Sequence, residues 1–325
     1  MRRATLGFAL ASLLPAWAAW DAGAAGAARW PVPKLTLMLA YPPGGFSDRL
    51  GQDLAARLRR SFGLTVFADY RPGAGGTVAM ERLSRAPGDG SVLLLSAVTP
   101  LTLAPWLGPL RYDLVRDVAP LRALVNTPML LVGSSSLQAK DWAGMVEQAR
   151  TQAGGLRWAT SGVASTGHLV MEQVRLDTRA PFVHVPYAGG GRQLQDALAG
   201  HFELLSTNLA ADQLAWLQQG RLNALALGAP TRHPMLPELP TLSELGHPAA
   251  NRWSTFGLFA PGTMSPALRQ RLHGLLAEAL DDVWRAFVRS QHSEPVSMDG
   301  ERFATWLAES SRRTRQLVNE TGFAR

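Results

Sequence analysis

The chain has 325 residues, 46% of them apolar and 18% charged, which suits two folded domains and excludes a disordered tail. It carries no cysteine, so disulfides, thiolate metal sites and a cysteine nucleophile are excluded. The formal charge of +7 comes from dispersed basic residues, not a basic stripe interleaved with aromatics, and this speaks against nucleic acid as a partner.

In chain order, Arg2 and Arg3 precede an apolar run, Ala4 to Trp20, broken by Pro15 and followed by the small residues "DAGAAGAA". A positive start, a short apolar stretch and small residues make an export signal, expected to occupy 1–27 and to be cleaved near Ala24 or Ala27. That would direct the mature protein out of the cytoplasm. The next apolar stretch, "KLTLMLAY", reads as a buried strand. "PPGGFSD" then leads into a helix with Ser47 as the expected N-cap, Asp48 in its first turn and an apolar stripe at Leu50, Leu54, Leu58 and Phe62. Gly63 stops it, and "LTVFADY" is the following strand, so the unit is β-α-β and implies parallel pairing. The alternation continues through "PGAGGTVA" into a helix, "SVLLLSAV" as a strand and "LRALVNTPMLLVG" as a long strand suited to crossing between domains. "LRWATSG", "FVHVPYAG", "FELLSTN", "LNALALGA" and "TFGLFAPG" are further strands. A helix capped by Ser265 with Pro266 at its first position follows, and a last amphipathic helix runs through Phe303, Trp306, Leu307 and Leu317.

Four strand-to-helix junctions carry small or glycine-rich loops: "PPGGFSD", "PGAGGTVA", "SGVASTGH" and "YAGGGRQ". Glycine lets a ligand approach the main chain, and a helix start offers unpaired N–H groups, so such junctions bind anions without a charged side chain. They are not nucleotide loops: Val78 stands at the third glycine position of the dinucleotide fingerprint, and no Gly-Lys-Ser/Thr follows a phosphate loop. Neither G-x-S-x-G nor H-E-x-x-H occurs, and the seven histidines are scattered, so no cofactor or metal is expected. A hydrolase pair of Ser165 and His168 stands as the enzymatic alternative, weighed against local packing at a helix start.

The ordered set "YPPGGFSD", "YRPGAGGTVA", "APGDGSVLLL", "YDLVRDVAPLRAL", "SGVASTGHL", "VHVPYAGGG", "LPELPTLSELG" and "TFGLFAPG" resembles the Bug family of extracytoplasmic solute receptors, the substrate-binding components of tripartite tricarboxylate transporters. The resemblance covers nearly the whole chain from about Trp30. It implies an α/β, two-domain periplasmic binding protein of the Venus-flytrap, type II-like kind, each domain a mixed, mostly parallel sheet flanked by helices. Domain 1 would combine 28–127 with 254–325, and domain 2 would be 128–253, hinged near "VNTPM" and "RWSTF". It further implies a monomer that binds a small organic carboxylate, with no catalysis. The ligand would pass to the membrane subunits of the transporter, or the closed form would signal to a sensor protein instead.

Carried over by residue, Pro43, Gly44, Gly45, Phe46, Ser47 and Asp48 would form one jaw, with Gly75, Gly76, Ser96 and Thr99 beside it. Ser161, Ala164, Ser165, Thr166 and His168 would form the other, walled by Pro186, Tyr187, Ala188 and Gly189. The chain departs from the family pattern at Ala188, where lysine is common, and at Thr207, where an aspartate often precedes Asn208. The loss of that acid favours a ligand without an ammonium group. Arg192, at a helix start, is a candidate to meet a second carboxylate, and Phe46 would narrow the pocket or stack on a ring.

Overall fold

The computed structural model describes residues 29–321, and the expected export signal lies outside the described residues. The first β-α-β unit forms as read: β1 (Lys34–Leu39) and β2 (Thr65–Tyr70) pair in parallel, joined by α1 (Phe46–Phe62). Leu50, Leu54 and Leu58 bury the inner face of α1 against β1 and β2, and Gly63 ends the helix in the left-handed conformation. The start differs from expectation. Gly45, not Ser47, is the N-cap, and it has no side-chain cap. The Asp48 carboxylate instead reaches back to accept the Gly44 N–H at 2.8 Å, so the acid in the first turn fixes the loop from inside the helix.

Next come α2 (Thr77–Ser84), β3 (Val92–Ala97), which joins β1 in parallel, and the short α3 (Thr99–Thr102). The long strand read from "LRALVNTPMLLVG" is β4 (Val118–Gly133), 16 residues and almost wholly buried. Beyond it lie α4 (Trp142–Thr151), β5 (Leu156–Thr160), α5 (Thr166–Thr178), β6 (Phe182–Pro186), α6 (Gly190–Leu198), β7 (Leu204–Asn208), α7 (Ala211–Gln218) and β8 (Asn223–Gly228). The chain returns through β9 (Trp253–Pro261), α8 (Pro266–Ala279), α9 (Asp282–Ser290), β10 (Glu294–Met298) and α10 (Gly300–Thr321). Ser265 caps α8 as expected, its hydroxyl accepting the Leu268 N–H.

The strand order is β2-β1-β3-β9-β4-β7-β5-β6, with β10 and β8 also pairing β4. Residues 118–128 of β4 pair with β9, and residues 129–133 pair with β7 on one side and β8 on the other. One strand thus serves two sheets. Parallel pairing is confined to β2-β1-β3 and β6-β5-β7, whereas every pairing of β4 and β9 is antiparallel. The sheets are therefore more evenly mixed than "mostly parallel", because β4 and β9 run in opposite senses where the chain leaves the first sheet and comes back. Separate apolar clusters fill the space around each sheet, one gathered by Leu37, Leu54 and Leu258, another by Trp158, Met145 and Val174. Among the described residues no helix is long and apolar enough to cross a membrane.

Candidate ligand-binding cleft

A cleft of about 650 Å³, its open mouth included, lies between the two sheets. The floor is built by the crossing strands, with Met129 on β4 and Ser254 and Phe256 on β9. Phe46 packs on Phe256 at 5.4 Å between ring centroids, and Tyr41 meets the same ring edge-on at 6.2 Å. This gives the cleft one aromatic wall.

Of the first expected jaw, Gly45, Phe46, Ser47 and Thr99 line the cleft. Of the second, Ser161, Ser165 and Thr166 line it, joined by Thr207 and Asn208 at the end of β7. A smaller cavity adjoins, sharing Tyr41 and Ser161, and it takes up Gly75, Gly76, Pro186, Tyr187 and Ala188. The Tyr41 hydroxyl donates to the Gly75 carbonyl at 3.1 Å between the two spaces. Burial pushes its pKa up to about 12, so it remains a neutral donor at ordinary pH.

The remaining expected residues lie outside both spaces. Pro43 and Gly44 form the rim, their carbonyls facing Gly191 across the cleft, and Gly189 lies against the Pro42 ring. Asp48 faces away, its carboxylate taken by the Gly44 N–H and by the Tyr70 hydroxyl at 2.6 Å. Ser96 is buried behind the Gly76 loop. Ala164 packs into an apolar cluster with Leu103, Leu169 and Val318, which joins α5 to the first-sheet side. The Arg192 side chain is 83% exposed and turns toward Asp196, outside the cleft lining. The helix start that aims the α6 backbone inward aims the side chain at this position outward.

His168 is also buried away from the cleft, stacked on His184 with ring centroids 3.7 Å apart. Its Nδ1 accepts the Ala164 N–H at 3.3 Å, and the Ser165 hydroxyl accepts the His168 backbone N–H at 3.2 Å. Ser165 is thus a helix cap, and the imidazole is committed to its own loop. Burial, then the neighbouring His184, holds the His168 pKa down to about 3. This is not a nucleophile and base geometry.

The sheet-to-helix junctions converge as their glycines suggest. The starts of α1, α5 and α6 all contribute lining residues, and α1 and α6 have no side-chain cap. Their first-turn N–H groups have no partner within the helix. Among the described residues no Lys, Arg, His, Asp or Glu lines the cleft. Two buried amides add neutral polarity. Gln193 donates its Nε2 to the carbonyls of Ala159 and Ser206, and its Oε1 has no protein partner. Gln213 donates to the Thr207 hydroxyl at 3.4 Å and likewise keeps a free Oε1. Sequence reasoning missed both, since a glutamine on a helix carries no signal of burial in a binding cleft. It also passed over Tyr41 and Phe256, although both lie inside the motifs "YPPGGFSD" and "TFGLFAPG".

The two sides of the cleft touch. Gly75 sits at φ +64°, and a Cβ there would run into the Val163 carbonyl of the opposite side. Arg49 on α1 pairs with Asp212 on α7 at 3.0 Å.

This architecture matches known proteins. Over 90% of its length the chain is 30% identical to the protein BugT of Bordetella pertussis, covering 90% of that protein. It superposes on the Rhodopseudomonas palustris protein Rpa4515, solved with adipate, with a TM-score of 0.84 at 27% identity, covering 90% of this chain and 98% of that one. It shares its fold with MatC of Rhodopseudomonas palustris, solved with malate, with a TM-score of 0.79 at 24% identity over 89% of this chain and 99% of that one. The model of the tripartite tricarboxylate transporter family receptors matches residues 51–323, and the chain belongs to that family.

Proposed function

We propose that the protein is a periplasmic solute receptor that closes two lobes on a small organic carboxylate and delivers it to the membrane subunits of a tripartite tricarboxylate transporter. One lobe comprises the described residues up to 127 together with those from 254, the other 128–253, and the hinge is the paired crossing of β4 and β9. The observation that carries this reading is the convergence of the α1, α5 and α6 N-termini on a cleft that, among the described residues, no charged side chain lines. Each helix end contributes roughly 0.3–2 kcal/mol to a nearby anion, and hydroxyls of Ser47, Thr99, Ser161 and Thr166 add direct hydrogen bonds. The adipate held by the related Rpa4515 supports the ligand class. Capture rather than catalysis is the role proposed, in keeping with the adipate that the related Rpa4515 holds. The aromatic wall and Thr207 favour a carboxylate with an apolar body and no ammonium group.

Isothermal titration of ligand-stripped protein against mono-, di- and tricarboxylates tests the proposal. Saturable binding of at least one acid is expected. A folded protein that responds to no member of the panel would overturn it.

A further inference from the structure

A second pocket shares no lining residue with the cleft. It opens between β4, α9 and β10, and its walls include Arg122, Trp284, Arg285, Arg289 and Ser297. Arg122 is only 6% exposed. Its guanidinium donates to the Ser297 hydroxyl at 2.8 Å and faces the His273 ring at 3.3 Å, both neutral partners, while its buried Nε has none. Among the described residues no carboxylate forms an ion pair with it. Asp299 lies near enough to act on it electrostatically but spends an oxygen on the Arg302 N–H at the start of α10. A buried cation without a counter-charge is costly, and buried charges are ordinarily paired.

The neighbours increase the cost. Arg285 and Arg289 lie one helical turn apart on α9 and both reach the same pocket. Arg285 is held by Asp282 at 2.5 Å, while Arg289 has no ion pair among the described residues. Guanidinium groups present forked donors that match the oxygens of phosphate, sulfate or carboxylate groups.

We infer that the pocket formed by Arg122, Arg285, Arg289 and Ser297 is a second, non-transport site for an oxyanion of the phosphate class. The anion would accept from the two exposed guanidiniums of Arg285 and Arg289, and its charge would offset that of the buried Arg122 behind them. The same chemistry is offered by free phosphate and by the headgroup phosphate of an anionic lipid.

The test titrates the whole mature chain with sodium phosphate against sodium chloride at equal ionic strength, reading heat and thermal stability. Saturable phosphate binding is expected, weakened at least about tenfold in Arg122→Gln and in Arg289→Gln. Arg289 is on the exposed rim, so its variant folds even if Arg122→Gln does not. Gly75→Val, aimed at the cleft, should leave the phosphate response unchanged. Sedimentation with phosphatidylglycerol vesicles, lost in Arg289→Gln, would assign the source as lipid. Phosphate binding without sedimentation would assign it as the free ion. Equal phosphate titrations in wild type and Arg289→Gln, or no saturable response, would overturn the inference.

Discussion

The cleft and the arginine pocket are two opposite ways to meet a negative charge. The cleft uses helix ends and hydroxyls drawn from both sides of the molecule, with no charged side chain among the described residues of its lining. The pocket uses three guanidiniums attached to one side, on β4 and α9. The difference has a mechanical consequence. In the proposed function, a ligand gripped by groups from two lobes is held only when the lobes come together, so binding and closure would be one event. An anion held by one lobe changes local charge and leaves the hinge alone. Main-chain donors would also suit the proposed release of the ligand, since each contributes modestly and all would be lost together on opening.

The largest expected effect separates the two regions outright. Gly75→Val puts a branched side chain at φ +64° against the Val163 carbonyl, so the lobes cannot seat. Carboxylate affinity should fall by about 100-fold or more by isothermal titration, against roughly the 2.7 kcal/mol that such a ratio represents. Affinity within a few fold of wild type would break the closure account. Next in size, Arg122→Gln should cost at least about tenfold in phosphate affinity while carboxylate affinity stays within twofold. Loss of both together would show the regions are not independent.

A smaller effect concerns the stack behind the second jaw. Burial lowers the pKa of His184 to about 4 and that of His168 to about 3, against 6.5 in the unfolded chain. Both rings are therefore neutral in the folded protein at neutral pH. Below pH 6.5 the unfolded chain takes up protons that the folded one refuses, so stability is lost as pH falls toward 4. The Tm should drop over that window, and His184→Gln should flatten part of the drop. An unchanged slope in the variant would remove the stack as a cause. The smallest effect is at the rim. The Arg49–Asp212 pair is half-exposed, so Asp212→Asn should weaken carboxylate binding by no more than about fivefold, an effect that high salt erases. A larger, salt-resistant loss would make the pair part of the grip.

Much of the frame was legible because it rests on local rules. The stripe from Leu50 to Leu58, the Gly63 stop and the Ser265–Pro266 start all express helix physics over a few residues. The glycine loops were legible for the same reason, and three of their four stretches line the cleft directly. The rest depends on tertiary direction. Asp48 and Arg192 stand at helix starts, where sequence suggests an anion-handling role, yet their side chains point to Tyr70 and to solvent. Gln193 and Gln213 look like surface residues on amphipathic helices and are buried beside the cleft. The strand β10 and helix α9 went unread, since Pro295 interrupts the one and the other is a short helix of nine residues directly after α8. The arginine pocket assembles residues 122, 285, 289 and 297, and no local pattern joins them.

The most direct measurement is small-angle X-ray scattering on ligand-stripped protein, before and after saturation with a carboxylate that titration has shown to bind. Two lobes drawn together through their main-chain amides should give a smaller radius of gyration with that acid and no change with phosphate. An identical radius at saturating carboxylate would contradict the coupling of anion capture to closure.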